Sequence, residues 1–430
     1  MTNGSRKRSY LDPIHQDIVL DRAKPAERLV IDLIDTPEFQ RLRRIHQLGV
    51  SNFTFQGAEG SRFTHSVGVM HVASRLTDLL AETTPAAVEL KPLIAATALL
   101  HDIGHGPYSH VTERIIGYDH EDWSCRIISG DTVVNRVLSG FDPQLPAGIT
   151  GVLRKTFEPH WVSHMVSSQL DCDRFDYLLR DSYMTGTAYG LFALQRILVS
   201  LEVDEANDRI VVSGDKGQTA VEDYLFARYS MYAQVYYHKK NLAARALLRV
   251  LVNRAREIGD RVCFMDEPTR KWLTGEPLCV DEYLQLDDVQ MTYHIKRWVR
   301  DPDPILSDLA SRFVNRRLFK ATKLPARGQG FEEGILKQAA EAVARIGLDP
   351  AYYVALESTG LRPYDYYRPE ADAPQTNIMV RSEDGWVREL SSISTPIEAL
   401  VKGNFAAAWL IYPDEARAEI ASLRELALVS

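Results

Sequence analysis

Six of the chain's twelve histidines fall between His65 and His120, and the segments that carry them have the apolar spacing of helices. That pairing constrains the fold more than any other feature. Imidazoles on separate helices can meet only where those helices pack around one cavity, so a mainly helical body centred on this stretch is expected. Apolar residues recur at three- and four-residue spacing over Ala26–Gly49, Val67–Leu80, Lys91–Ile103 and Tyr108–Ile116. Within the first run Asp35-Thr36-Pro37 reads as a turn and a fresh helix start, and Gly104, Gly106 and Pro107 punctuate the last two. Ser163–Arg180, Val221–Glu257 and Val280–Arg300 continue the pattern. The second of these has 37 residues, so a break is expected inside it.

Arg209–Val212 followed by Gly214-Asp215-Lys216-Gly217 reads as a small hairpin. After Arg316 the pattern changes: Leu318–Leu324 and Tyr352–Glu357 read as strands, with a Gly328-Gln329-Gly330 loop and a helix over Glu332–Ile346 between them. Thr376–Arg381 and Gly385–Leu390 form an expected hairpin, and the strand Ala406–Tyr412 precedes a closing helix, Asp414–Leu426. The expected fold class is mainly α, with a helical body over residues 1–315 (its motif core at about 60–185) and a smaller α+β lobe over 316–430.

Charge narrows the function classes. Fifty Lys and Arg against 58 Asp and Glu leave −8, which disfavours a broad electrostatic footprint for nucleic acid or an anionic membrane. Cys125, Cys172, Cys263 and Cys279 are scattered, with no CxxC pair, which argues against a disulfide framework or a thiolate zinc site and fits a reducing cytoplasm. The longest apolar runs, Leu93–Leu100 and Phe405–Tyr412, are far below the ~20 residues of a membrane span. Arg6-Lys7-Arg8 has no apolar stretch behind it, so no signal peptide is expected.

One His-Asp dipeptide is expected by chance in a chain this long, so His101-Asp102 means little alone. Its company gives it meaning: His65 upstream, His105, His110 and His120 downstream, then a carboxylate-rich helix over Asp171–Asp181. Two imidazoles and two carboxylates from different helices form a donor set for a borderline divalent cation, and His101 and Asp102 sit beside Gly104, where a helix end lets neighbouring side chains splay. Asp173, Tyr177 and Asp181 at i, i+4 and i+8 share one face, which favours Asp173 over Asp171 as the fourth ligand. Asp171 stands where a capping carboxylate belongs, and Asp176 with Arg180 reads as a surface ion pair. His46 and His71 read as structural.

These residues carry a resemblance. Arg62-Phe63-Thr64-His65-Ser66, the run from His101-Asp102-Ile103-Gly104-His105-Gly106-Pro107 to His110, His120-Glu121, and Asp171-Cys172-Asp173-Arg174-Phe175-Asp176-Tyr177 resemble the HD-domain phosphohydrolases. Within that superfamily the chain is similar to the deoxynucleoside triphosphate triphosphohydrolases, including dGTPase-like bacterial members, over roughly residues 8–320. Asp12-Pro13-Ile14-His15, Asp35 to Arg43, Arg228 and Tyr236-Tyr237-His238-Lys239 extend the likeness.

The resemblance implies metal ligands at His65, His101, Asp102 and Asp173, with Fe, Mn, Ni, Co or Zn at the site and Mg accompanying the triphosphate. It implies that His105, His110 and His120 line the α-phosphate, with His110 the general acid. Arg62, Arg174 and Arg228 match phosphate-contacting positions, although mammalian members carry lysine at the second. Gln47, Leu48, Tyr177, Asp181 and Tyr236 match positions that hold the deoxyribose and base, with Tyr177 crowding out ribonucleotides. Arg8, Asp35, Gln40 and Arg43 match positions that hold an activating guanine nucleotide at a subunit interface in the mammalian members, which implies a homo-oligomer, dimer or tetramer. Bracing of the first helix is the competing reading for those four. Two other functions stay open: an HD-family phosphodiesterase or nucleotidase acting on another phosphate ester, and a non-catalytic nucleotide-binding regulator.

Overall fold

The computed structural model describes residues 6–360, 364, 377–403 and 406–429. Near the N-terminus β1 (Lys7–Asp12) and β2 (Gln16–Asp21) form an antiparallel hairpin that no sequence signal announces, because only Ile18 and Leu20 of β2 face the core. The first helix, Pro25–Ile34, ends at Asp35 as expected, and Thr36 caps the short helix Pro37–Gln40 by accepting the Phe39 amide at 3.3 Å.

The centre of the body is a pair of packed helices, Arg62–Leu80 and Ala86–Leu100, with the Cys172–Thr185 helix lying against the first. They close tightly at Gly68, where an added Cβ would stand 2.0 Å from Asp176 Oδ1 and 2.4 Å from Arg180 Nη2. Gly104 is equally committed, since a Cβ there would meet the His120 carbonyl at 2.1 Å. Two shorter helices, His110–Ile116 and His120–Ser129, follow the HD dipeptide.

The long helical runs are divided. Ser163–Arg180 takes in parts of two helices, His160–Val166 and Cys172–Thr185, and Asp171 caps the second by accepting the Arg174 amide at 2.7 Å. The Val221–Glu257 run breaks as its length required: the helix Gly214–Met231 passes through a π-helical turn, Tyr232–Tyr236, before the helix Lys239–Ile258 begins. Val280–Arg300 splits into Val280–Tyr283 and Asp288–Trp298.

The small hairpin is corrected. Its strands are β3 (Leu201–Asp204) and β4 (Arg209–Ser213), turning through Asp208 at φ +49°, while Gly214–Gly217 opens the next helix. Gly214, at φ +71°, makes the strand-to-helix step, and Asp215-Lys216-Gly217 are already helical.

Beyond Arg316 come β5 (Lys320–Lys323), β6 (Ala355–Thr359), the antiparallel hairpin β7 (Met379–Arg381) and β8 (Val387–Glu389), and β9 (Ala407–Tyr412). Thr376, where the first hairpin strand was expected to begin, lies outside the described residues. β9 sits between β5 and β6 in an antiparallel sheet against which the Gln329–Arg345 helix packs. This is the expected α+β lobe on a mainly α body. β7 runs parallel to β4, with Val380 opposite Val212, so one sheet spans both sides of residue 315.

Candidate active site

The Arg62–Leu80 helix, the end of the Ala86–Leu100 helix and the Cys172–Thr185 helix bring His65, His101, Asp102 and Asp173 together. His65 Nε2 lies 3.0 Å from Asp173 Oδ1 and 3.5 Å from Asp102 Oδ2; His101 Nε2 lies 3.6 Å from Asp173 Oδ1 and 3.4 Å from Asp102 Oδ1. Donors about 2.1 Å from a common ion and at right angles to each other are about 3 Å apart, so these spacings suit a divalent cation. Both imidazoles are pre-aimed. His65 Nδ1–H donates to Asp176 Oδ2 at 2.8 Å and His101 Nδ1–H to the Ala98 carbonyl at 2.9 Å. The two Nε2 atoms are buried and make no hydrogen bond. Burial opposes a proton on His65, but the adjoining Asp173 and Asp176 carboxylates outweigh it and raise the metal-free group to about 10. Asp102 is held well below the usual carboxylate range, burial being overcome by the charge of Arg62 and then by His101 and His105.

Asp176 and Arg180 are corrected from a surface pair to a fully buried one. Arg180 donates through Nε and Nη2 to the two Asp176 oxygens, each at 2.8 Å, and through Nη1 to Asp12 Oδ2 at 2.8 Å. His15, at the β1–β2 turn, reaches Asp176 Oδ1 at 2.7 Å. The N-terminal hairpin therefore braces the carboxylate that orients His65. Asp176 lies one helical turn after Asp173, a spacing that could have marked it.

Beside the metal-type cluster stands a wall of histidines. His105 is fully buried, stacks on His120 at 3.9 Å between ring centroids and approaches Asp102 Oδ1 at 3.2 Å through Nε2. His110 faces the cavity, and its ring centroid lies 5.2 Å from that of His120. Glu113, unremarked in the sequence, organises this wall: it accepts His110 Nδ1–H and His120 Nδ1–H, each at 2.7 Å, and the His120 amide at 3.1 Å. Its place three residues after His110 was the available signal. Burial, with the Arg62 and His120 charges, lowers the His110 pKa although Glu113 raises it; in His120 the Glu113 bond prevails over burial. The chain enters this segment through Tyr108 at φ +57° and Ser109 at φ +54°, both left-handed without glycine.

A cavity of about 580 Å³ opens in front of both clusters. Its walls include Arg62, Arg174 and Arg228, together with Gln47, Leu48, Tyr177, Asp181 and Tyr236. Arg62 donates to Asp102 through Nη1 and to Ser109 Oγ at 2.8 Å through Nε, so it holds Asp102 as well as facing the cavity. Arg174 bonds Asp171 at 3.0 Å, and Arg228 donates to Gln169 Oε1 at 2.7 Å while its buried Nε has no partner. Tyr236 O–H donates to Asp181 Oδ2 at 2.7 Å, and burial pushes Asp181 up to about 7. Arg8, Asp35, Gln40 and Arg43 are not on the cavity wall. Arg8 Nη1 bonds Asp35 at 2.6 Å, Gln40 donates to the Ile34 carbonyl at 2.7 Å, and Arg43 donates to Gln40 Oε1 at 2.8 Å.

The comparisons with known proteins agree with this geometry. Residues 62–178 match the HD domain family and residues 193–422 match the HD associated region. The Bacillus subtilis (strain 168) protein YwfO is 38% identical over 92% of the chain and 90% of its own length. The Dictyostelium discoideum deoxynucleoside triphosphate triphosphohydrolase SAMHD1 homolog is 30% identical, over 49% of the chain and 43% of its own length. A crystal structure of a phosphohydrolase from Bacteroides thetaiotaomicron superposes with TM-score 0.79 at 28% identity, covering 94% of this chain and 99% of that one. The chain belongs to the HD-domain phosphohydrolase family and is a hydrolase of that class. HD domains bind divalent metals, and the buried His65, His101 and Asp102, whose donor atoms all lie within 4.8 Å of one another, can hold one. Among the described residues no helix is long and apolar enough to cross a membrane.

Proposed function

We propose that the chain hydrolyses deoxynucleoside triphosphates to deoxynucleoside and inorganic triphosphate. The observation that carries the reading is the pair of buried, unpartnered Nε2 atoms of His65 and His101 beside a cavity whose walls present His110 on one side and three arginines on others. His65, His101, Asp102 and Asp173 would hold a divalent ion, which when bound would supply Lewis-acid chemistry towards water and phosphate oxygen.

The chain's own residues do the rest. Arg174 and Arg228 hold the polyphosphate and absorb charge that develops on it, Arg228 through its free Nε. Arg62 fixes Asp102 and, with it, the place of the α-phosphate. His110, aimed by Glu113, delivers a proton from Nε2 to the departing 5′-oxygen. His120, bound to the same carboxylate, sustains the positive field of the wall. Tyr177 and Tyr236, with ring centroids 6.4 Å apart, flank the sugar, and Tyr177 crowds a 2′-hydroxyl. A guanine nucleotide acting as an activator at Arg8, Asp35, Gln40 and Arg43 would exchange these residues' internal bonds for its own, in an oligomer of this chain.

Product analysis tests the reading. Incubation with dNTP should release deoxynucleoside and intact triphosphate as first products, and reaction in ¹⁸O-labelled water should place the label on the triphosphate. Orthophosphate with dNDP, or pyrophosphate with dNMP, as first products would assign the protein to another phosphate-ester hydrolysis.

A further inference from the structure

The turn that launches His110 is held from outside the helices that carry the site. Tyr108 and Ser109 are both left-handed without glycine, and His110 opens the next helix directly behind them. Ser109 stands where a serine commonly caps a helix, yet its side chain makes no cap. Its hydroxyl donates to the His46 carbonyl at 2.9 Å and accepts Arg62 Nε at 2.8 Å. Two consecutive residues in this region persist only where their surroundings over-determine them. Asp288, buried at the start of the Asp288–Trp298 helix, supplies that constraint. Its Oδ1 accepts the Tyr108 amide at 2.6 Å, and its Oδ2 accepts the His46 amide at 2.8 Å and stands 2.5 Å from His46 Nδ1. One turn along the same helix, Thr292 Oγ1 lies 2.7 Å from the Tyr108 hydroxyl, so the helix grips Tyr108 by its backbone and by its ring. The stretch before that helix holds the other end of the loop, where the Tyr283 hydroxyl donates to the Gly104 carbonyl at 2.6 Å.

We propose that Asp288 is a positioning residue for the hydrolysis: it fixes the left-handed Tyr108–Ser109 turn and, through it, the place from which His110 delivers its proton. This rests on the reading of His110 as general acid and deepens it. Glu113 sets the rotation of the His110 ring through Nδ1, but it rides on the same short helix and moves with it. It cannot fix where that helix begins. Asp288 can, because its own helix lies apart from the cavity wall and contributes no residue to the lining. A carboxylate suits the task, since both of its oxygens accept and it serves Tyr108 and His46 at once. Asparagine keeps one acceptor and turns an NH₂ group towards one of those partners. Asp288 falls in the HD associated region, outside the matched HD domain, so that region acts on the chemistry through one buried carboxylate.

The test is a double-mutant cycle of Asp288→Asn with His110→Ala on dNTP, with rates expressed per site that binds a non-hydrolysable dNTP analogue. Small misplacements of a reacting group are felt strongly, so Asp288→Asn should lower kcat by about 10- to 100-fold. KM should change little, because Arg174 and Arg228 keep their partners. In the His110→Ala background the same substitution should lower kcat by less than about twofold, since the group it places is already gone. A merely structural role reduces the number of binding sites or adds its full loss to that of His110→Ala, and either result would overturn the proposal. So would a parental kcat in Asp288→Asn. If that variant does not fold, Thr292→Val takes its place in the cycle by releasing only the Tyr108 hydroxyl. Its loss should be smaller and should vanish with His110→Ala; no loss, or one that adds in full, overturns the proposal. If no dNTP is hydrolysed, or His110→Ala works at the parental rate, the general-acid reading fails by itself. A crystal structure of whichever of the two variants folds then decides the placement. The proposal stands if Tyr108 leaves the left-handed region and His110 shifts, and falls if both stay.

Discussion

The two histidine clusters use the same residue types and are wired in opposite ways. In the metal-type cluster the Nδ1–H groups of His65 and His101 point outward, to Asp176 and to the Ala98 carbonyl, and both Nε2 atoms turn towards one buried point beside Asp102 and Asp173. In the wall the Nδ1–H groups of His110 and His120 converge on one carboxylate, Glu113, whose oxygens accept three N–H donors. The first wiring leaves lone pairs inward and suits a cation. The second uses up the carboxylate as an acceptor and leaves the outer edges of the rings for a substrate, which suits proton transfer. Residue composition does not separate these sites; the choice of ring nitrogen does.

The largest expected effect breaks the first cluster. His101→Ala with Asp102→Ala should abolish bound transition metal and hydrolysis together, with helical circular dichroism retained. Full metal occupancy by elemental analysis in that double variant would remove the ligand assignment. The wall should respond differently: His110→Ala should slow the chemical step by about 10²–10⁴ with metal still bound, and Glu113→Gln should follow in the same direction but less. Metal loss in His110→Ala would erase the distinction between the clusters.

A subtler contrast concerns what orients the histidines of the metal-type cluster. Asp176→Asn keeps the size of the side chain but removes the charge that His65 and Arg180 share. Metal affinity should fall by about 10- to 100-fold, and His15→Ala should shift it in the same direction through the Asp176 oxygen it holds. Metal titration of both variants measures this, and unchanged affinity in Asp176→Asn would make the N-terminal hairpin a brace for the fold alone.

Much of this was legible in the sequence. The break in Val221–Glu257, the turn at Asp35 and the capping role of Asp171 all follow from local chemistry, because length, Thr-Pro spacing and an Asp at a helix start act within a few residues. The convergence of His65, His101, Asp102 and Asp173 was legible because histidine and aspartate at helix ends have few other reasons to cluster. Asp176 was misplaced for a physical reason. An Asp–Arg pair four residues apart reads identically whether water or another helix covers it, and here the missing side chain of Gly68 lets the Arg62–Leu80 helix cover it. The β1–β2 hairpin escaped because its partner surface is tertiary: Asp12 and His15 are held by Arg180 and Asp176, more than 150 residues later. Asp288 acquires meaning only through the Tyr108 amide, 180 residues earlier, a separation no spacing rule spans.

Asp173 and Asp181 sharpen the comparison on a single helix face. Two turns apart on the Cys172–Thr185 helix, they shift in opposite directions. Asp173 lies between two imidazoles, whose proximity outweighs burial and holds its carboxyl low. Asp181 has one Tyr236 hydroxyl, which lowers it too little against burial, so it rises from 3.8 to about 7. A carboxyl raised on folding takes up a proton when the chain folds. Its contribution is therefore fully present below pH ~4 and is lost as pH climbs to about 7. The span corresponds to a loss of at most about 4 kcal/mol. Asp181→Asn keeps an oxygen for the Tyr236 hydroxyl and cannot ionise, so it should match the parent at pH 4 and exceed it in stability at pH 8. Denaturation midpoints of both proteins at pH 4, 6 and 8 decide the matter, because curves that run parallel across that range would mean that Asp181 is as well compensated as Asp173.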